Sequence, residues 1–462
     1  MADRLSALDV SFLYVEEPTT PMHVGGLAIL QPPDVGFDYD RLVELIEGRI
    51  GLVPRYRQKI KNVPGRFANP VWIDDGDFDV TYHVRRSALP RPGNDAQLRE
   101  LTARLMSRRL DRSRPLWEIY LVEGLAGGRI GLITKTHHAM VDGLAAVDLG
   151  QVLLDLTPTP RDLAEDLWMP APEPGPVDLV AGAVEEYLRR PTAIIDTVRS
   201  SVGDARATVG RIADAVGGFA AAASLAARPA PTSPLNATIG EQRRFGVART
   251  SLEDYRRVRS THGGTVNDVV LATVSLALRN WLLSRGEPVT SATTVRALVP
   301  LSVRTTIQQG VPGNRVSAYL IDLPVGEASP AVVLAQVGYA MRAHKDSGQS
   351  VGADALIRLS GFAPPTLHAL GARAASGFSR RLFNTVVSNV PGPQLPLYAG
   401  GARLLEMFPV VPLARGQAVS IGVTSYDGGV YYGLNADRDA MGDVDVLGLM
   451  LEEAITQLAE VS

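Results

Sequence analysis

The amino-acid sequence points to a mixed α/β (α+β) protein, built as two halves of similar size joined by a helical crossover linker. Three features carry this expectation. Strand-like and helix-like hydrophobic patterns alternate through both ends of the chain. The composition shifts in the middle, where prolines cluster from Pro158 to Pro176 and again at Pro229, Pro231 and Pro234. The 462 residues are 45 % hydrophobic and 21 % charged, enough core for two or three domains and too apolar for disorder. The expected divisions are 1–156, 157–236 and 237–462.

The elements follow in chain order. Val24–Leu30 reads as a strand, and Tyr39–Ile50 as a helix with Leu42, Val43, Leu45 and Ile46 on its apolar side. Asp95–Leu110 is a second helix, striped by Leu98, Leu101, Leu105 and Met106. Trp117–Val122 and Arg129–Thr136 form a hairpin around Gly124, Gly127 and Gly128, and Leu144–Leu156 follows as a helix. The crossover has helical spacing from Ile194 to Phe219. Beyond it, Asn267–Leu283, Ala331–Ala343 and Val444–Leu458 read as helices. Thr294–Leu301, Arg315–Leu323, Thr385–Val390, Val419–Val423 and Val430–Leu434 read as strands.

Composition narrows the function. A net charge of -3 argues against a dedicated nucleic-acid binder. With no cysteine there is no disulfide, thiolate metal site or cysteine nucleophile. Lysine stands only at 59, 61, 135 and 345, never after a glycine, so no phosphate-binding P-loop is expected. The N-terminus lacks an apolar signal core and no run of 18 apolar residues is visible, so neither secretion nor membrane spanning is expected.

The sharpest local feature is His137-His138-Ala139-Met140-Val141-Asp142-Gly143, placed where a strand ends and a helix begins. His138 suits general-base work, because an imidazole titrates near ~6.5. Asp142 suits a helix start, and Gly143 lets that helix lie close to the strand. The competing reading is a buried histidine pair with an ordinary capping aspartate. No metal is expected, since neighbours on a strand point to opposite faces and His137 and His138 would not share one ion. Gly348-Gln349-Ser350-Val351-Gly352 matches a nucleophile-elbow pattern, but polar residues after a helix precede it, so it reads as a loop.

His137-His138-x-x-x-Asp142-Gly143 resembles the HHxxxDG motif of the bacterial wax ester synthase/diacylglycerol acyltransferase family, which has the chloramphenicol acetyltransferase fold. Leu5–Asp9, Pro21–Gly25, Pro115-Leu116-Trp117-Glu118, Thr265–Asp268, Val299–Arg304, Gly313–Arg315 and Ser388–Pro393 resemble further family segments, in family order. The resemblance implies two acyltransferase domains with the site in a channel between them. It implies O-acyl transfer from a long-chain acyl-CoA to diacylglycerol, giving triacylglycerol, or to a fatty alcohol, giving wax ester. His138 is then the general base, His137 supports it, and no covalent intermediate forms. Acyl-CoA is a co-substrate, and no cofactor is expected. Asp142 would pair with an arginine, Arg304 being the candidate, or else only cap its helix. Asn267 would donate to the oxyanion; alternatively Thr265 and Asp268 merely cap a helix there. Pro115, Leu116 and Trp117 would lie near the substrate pocket, or Trp117 would anchor the core.

The crossover helix could touch a membrane or lipid-droplet surface, form a lid, or simply pack on its own domains. The expected compartment is the cytoplasm, with peripheral contact at the inner membrane or lipid inclusions as the variant of that expectation. The alternatives to the transferase are a non-catalytic acyl-CoA- or lipid-binding protein of the same fold and an acyltransferase for another hydroxyl lipid.

Overall fold

The structure is a computed structural model and describes residues 3–66, 68–140, 150, 152–161, 163, 166–189, 229–302, 316–347 and 379–461. Asp142, Gly143, Arg304, the segment 313–315, the 348–352 loop and the crossover stretch 194–219 lie outside the described residues.

The N-terminal half runs β1 (Asp3–Arg4), α1 (Ala7–Val15), β2 (His23–Gln31), α2 (Tyr39–Glu47), β3 (Gln58–Lys61) and β4 (Val71–Asp74). It continues through α3 (Val80–His83), β5 (Val84–Ala88), α4 (Asp95–Met106), β6 (Trp117–Glu123) and β7 (Ile130–His137). Helix α5 (Pro176–Arg189) belongs to the crossover. The C-terminal half holds β8 (Arg243–Ser251), α6 (Leu252–His262), α7 (Val266–Ser284), β9 (Val295–Ser302), β10 (Val316–Leu323) and α8 (Pro330–Ser347). After these come α9 (Ser379–Leu382), β11 (Thr385–Pro391), β12 (Tyr398–Ala399), β13 (Ala402–Val410), β14 (Val419–Tyr426), β15 (Gly429–Asp437) and α10 (Val444–Glu460).

Two six-stranded sheets organise these elements. The first has the order β12-β13-β2-β7-β6-β5 and the second β10-β9-β11-β14-β15-β8. Alternation along β2 sends Leu27 and Ile29 toward α4, and Leu30 into the core shared with α2 and Trp117. In the second half α7 is enclosed from Val269 to Leu278 against Tyr255, Ile421 and Leu447. At 19 residues α7 is long and apolar enough to cross a membrane, yet most of it is buried in this core.

The two halves are interlocked. β13 comes from the C-terminal half but pairs with β2, Phe408 standing opposite Leu27. Its bulge between Leu404 and Glu406, and Pro409, interrupt the pattern that marks a strand. Pro409 is tolerated because β12 pairs only with Ala402 and Arg403, leaving the far flank of β13 without a partner strand at that point among the described residues. Arg249 of β8 adds a bidentate pair to Glu406 at 2.8 Å and reaches Asp95 of α4 at 3.1 Å.

Several elements differ from expectation at their ends. The 95–110 helix stops at Met106, where the Ser107 hydroxyl turns back to the Arg104 carbonyl. The helix expected over 39–50, α2, ends at Glu47, Gly48 N–H closing on the Glu44 carbonyl and a short turn at Ile50–Leu52 following. Asp155 is not helical; it forms a bridge with Tyr398. β11 continues to Pro391, into the expected turn, held there by its parallel pairing with β14 through Ser425.

Candidate active site

β7 ends at His137, and a short 3-10 turn, His138–Met140, follows. β2 lies antiparallel to β7 and sets His23 opposite His137. The main chain of both motif histidines is gripped from two sides. His137 N–H donates to the Leu116 carbonyl at 2.9 Å, and His138 N–H to the Met22 carbonyl at 2.8 Å.

His137 is buried and faces inward. Its Nδ1 accepts the Ala139 N–H at 3.0 Å, so the proton of the neutral ring sits on Nε2. Nε2 points toward Glu16 Oε1 at 3.7 Å, beyond hydrogen-bond range. Burial, then the charge of Arg112, then His138 push its pKa down to about 3. It therefore stays neutral at any working pH and cannot serve as a second titrating base. Glu16 is itself fixed: Oε1 accepts the Met22 N–H at 3.2 Å, and Oε2 takes Arg112 at 2.5 and 3.1 Å. Arg112 also donates to the Leu13 carbonyl at 2.8 Å, tying the end of α1 to this cluster.

His138 is half-buried and stacks on Phe12, with ring centroids 3.9 Å apart and planes 16° from parallel. Nδ1 is enclosed and has no hydrogen-bond partner among the described residues. Burial lowers the pKa of this ring, and its own main-chain carbonyl acts in the opposite direction. The neutral, proton-accepting form is thus the stable one near neutrality. Phe12 lies on α1, whose start is fixed by a reciprocal capping box of Ser6 and Asp9.

Pro115, Leu116 and Trp117 are all buried. Trp117 is 1 % exposed, donates through Nε1 to the Tyr56 carbonyl at 2.7 Å and stacks on His83 at 4.6 Å. Its side chain packs in the core, and the segment touches the site through the Leu116 carbonyl that holds His137.

In the other half, Thr265 and Asp268 form the capping box of α7. Thr265 N–H donates to Asp268 Oδ2 at 2.8 Å, and Asp268 N–H to Thr265 Oγ1 at 3.2 Å. Asp268 is occupied by the helix start. Asn267 is not: its Oδ1 accepts from Asn389 Nδ2 at 3.1 Å, while its own Nδ2 is enclosed with no acceptor among the described residues. This contact joins two sequence motifs that lie 122 residues apart. No hydrogen bond joins Asn267 to His138 among the described residues. Sequence reasoning missed Phe12, Glu16, Arg112 and Asn389 as parts of the site. Of these, only Asn389 sat inside a segment already singled out.

The two-half mixed α/β fold is of the chloramphenicol acetyltransferase type. The wax ester synthase/diacylglycerol acyltransferase catalytic domain matches residues 5–270, and the corresponding C-terminal domain residues 312–459. The chain belongs to the wax ester synthase/diacylglycerol acyltransferase family. The probable diacylglycerol O-acyltransferase tgs3 of Mycobacterium tuberculosis is 50 % identical over 263 residues, covering 57 % of this chain and 97 % of that protein. The probable diacylglycerol O-acyltransferase tgs1 of the same organism is 33 % identical over 462 residues, covering 100 % and 96 %. Among solved structures, the wax ester synthase/diacylglycerol acyltransferase from Marinobacter aquaeolei VT8 aligns with a TM-score of 0.70 at 27 % identity, covering 99 % of this chain and 98 % of that one. The first condensation domain of the calcium-dependent antibiotic synthetase shares the fold at a TM-score of 0.57 and 18 % identity, over 100 % of this chain and 96 % of that one.

Proposed function

We propose that this chain moves a long-chain acyl group from acyl-CoA to the free hydroxyl of diacylglycerol, with a fatty alcohol as a second acceptor that gives a wax ester. The observation that carries the reading is His138: neutral, held flat against Phe12, with Nδ1 enclosed. Nε2 is then the atom left to meet a substrate.

The alcohol oxygen attacks the thioester carbonyl as His138 Nε2 takes the hydroxyl proton. The carbonyl oxygen becomes an oxyanion, and the enclosed Nδ2 of Asn267 supports its assignment as a donor to that charge. The intermediate collapses with loss of the C–S bond, and the proton on His138 passes to the departing thiolate. Atoms and charge balance without a covalent enzyme intermediate or a cofactor. His137 contributes position rather than protons. The acceptor and product are water-insoluble, which supports peripheral work at the inner membrane or a lipid inclusion.

The test is release of free coenzyme A from palmitoyl-CoA with diacylglycerol or hexadecanol as acceptor. A thiol reagent reads it without background, since the chain has no cysteine. His138→Gln should lower the acceptor-dependent rate ~10²–10⁴-fold in a folded protein. Release that ignores the acceptor, or survives this substitution, refutes the assignment.

A further inference from the structure

Helix α6 buries one side and exposes the other. Leu252, Tyr255 and Val258 recur every three residues and enter the C-terminal core. The same spacing leaves Arg256, Arg257, Arg259 and Ser260 on the outside. These four, with Glu253 and Val266, line a cavity of about 430 Å³. Three guanidinium groups face a single carboxylate there, an excess of two positive charges. Arg257 is engaged with Asp254 at 2.8 Å. Arg256 and Arg259 have no ion-pair partner among the described residues.

The position of the cavity matters as much as its charge. Gly263 and Gly264, at φ of 76° and 84°, turn the chain sharply from α6 into α7. That turn sets Val266, the first residue of α7, in the cavity wall. Asn267, whose enclosed amide is the candidate oxyanion donor, is the next residue. The arginines of α6 and the candidate donor at the start of α7 therefore flank the same connection, Gly263–Thr265. Clustered guanidinium groups suit phosphate oxygens, which they meet with two parallel N–H donors each.

We propose that this cavity receives the phosphorylated nucleotide end of acyl-CoA, with Arg256 and Arg259 on its phosphate oxygens. The proposal rests on the acyl-CoA reading above and names where that co-substrate is held. The acyl-pantetheine arm then runs from α6 toward the start of α7. Arg256 and Arg259 contribute to holding the donor rather than to the chemical step, so their loss should appear in KM.

The experiment uses the full chain and two donors, palmitoyl-CoA and palmitoyl-pantetheine, the second lacking the nucleotide. Arg256→Gln and Arg259→Gln should each raise KM for palmitoyl-CoA about tenfold, from the loss of a charge-assisted hydrogen bond. Values of kcat, and of KM for palmitoyl-pantetheine, should stay within about twofold of the parent. Adenosine 3′,5′-bisphosphate should compete with palmitoyl-CoA in the parent and at least tenfold more weakly in the double variant. Arg256→Lys with Arg259→Lys keeps the charge and should recover part of the affinity, separating binding from misfolding. An unchanged KM for palmitoyl-CoA, or equal inhibition of parent and variant, overturns the proposal. Acceptor-independent behaviour of the parent with both donors overturns the transferase reading instead, and the bisphosphate titration still decides the cavity.

Discussion

Phe12→Leu tests how the base is held. In the parent, the Phe12 ring covers one face of His138 at 3.9 Å, and Nδ1 has no side-chain partner among the described residues to fix the imidazole plane. An aromatic pair is worth about 0.5–1.5 kcal/mol beyond the area it buries. If that energy holds the reactive rotamer, its loss lowers kcat about 2- to 12-fold. The pH profile should move as well. As the proposed general base, His138 must be neutral to act, so activity should fall as pH drops through its pKa. Burial holds that pKa below the ordinary ~6.5. Leucine leaves the ring less covered, so the pKa rises and the acid limb of kcat/KM moves to higher pH, toward ~6.5 and not beyond. His137 cannot be the source of the limb, because burial and Arg112 hold it near about 3. The Glu16–Arg112 pair lies beside His137, Glu16 Oε1 being 3.7 Å from its Nε2. Thiol release from palmitoyl-CoA across pH 5 to 8 reads both quantities. A limb that stays put, together with an unaltered kcat, would show that Phe12 is only core.

Two further outcomes are expected. Asn389→Asp replaces the amide that donates to Asn267 Oδ1 with an acceptor, which should turn the Asn267 amide around and remove its free donor. A lost oxyanion donor costs ~10²–10³-fold in kcat with little change in KM; equal kcat would disprove the orientation. Arg49→Met breaks the buried pair with Asp155 at 2.8 Å, where both side chains are about 3 % exposed or less. Removing one partner of such a pair costs ~3–5 kcal/mol, and the surviving Arg161–Asp155 contact at 2.7 Å should hold the loss near 3, read by urea unfolding.

The central elements were legible because their patterns were strong and local. β2, β6, β7, α7 and α10 carry unbroken hydrophobic periods, and Thr265 with Asp268 announces its capping box three residues apart. β8 was not legible: arginines at 243, 244 and 249 break its alternation, and they are satisfied by partners distant in sequence such as Glu406 and Asp437. β13 was hidden by its bulge and Pro409, both made tolerable by neighbours from the other half. In the site, His137 and His138 were visible as a motif, and their different protonation is a product of burial. Phe12, Glu16 and Arg112 belong to the site through packing between segments roughly a hundred residues apart, which no local pattern records. Trp117 illustrates the converse, a motif residue whose service is in the core.

The late strand β13 also governs how the protein can be made. Synthesis delivers β2, β7, β6 and β5 first, so the outer edge of β2 has no neighbour until the chain has been extended by nearly four hundred residues to Val410. An unpaired, largely apolar strand edge recruits other chains. A fragment ending before Tyr398 would leave that edge bare, along with the Phe408 and Val410 positions in the core beneath α4. The N-terminal half is therefore a folding dependant of the C-terminal half. Separately expressed halves should become soluble only when produced together.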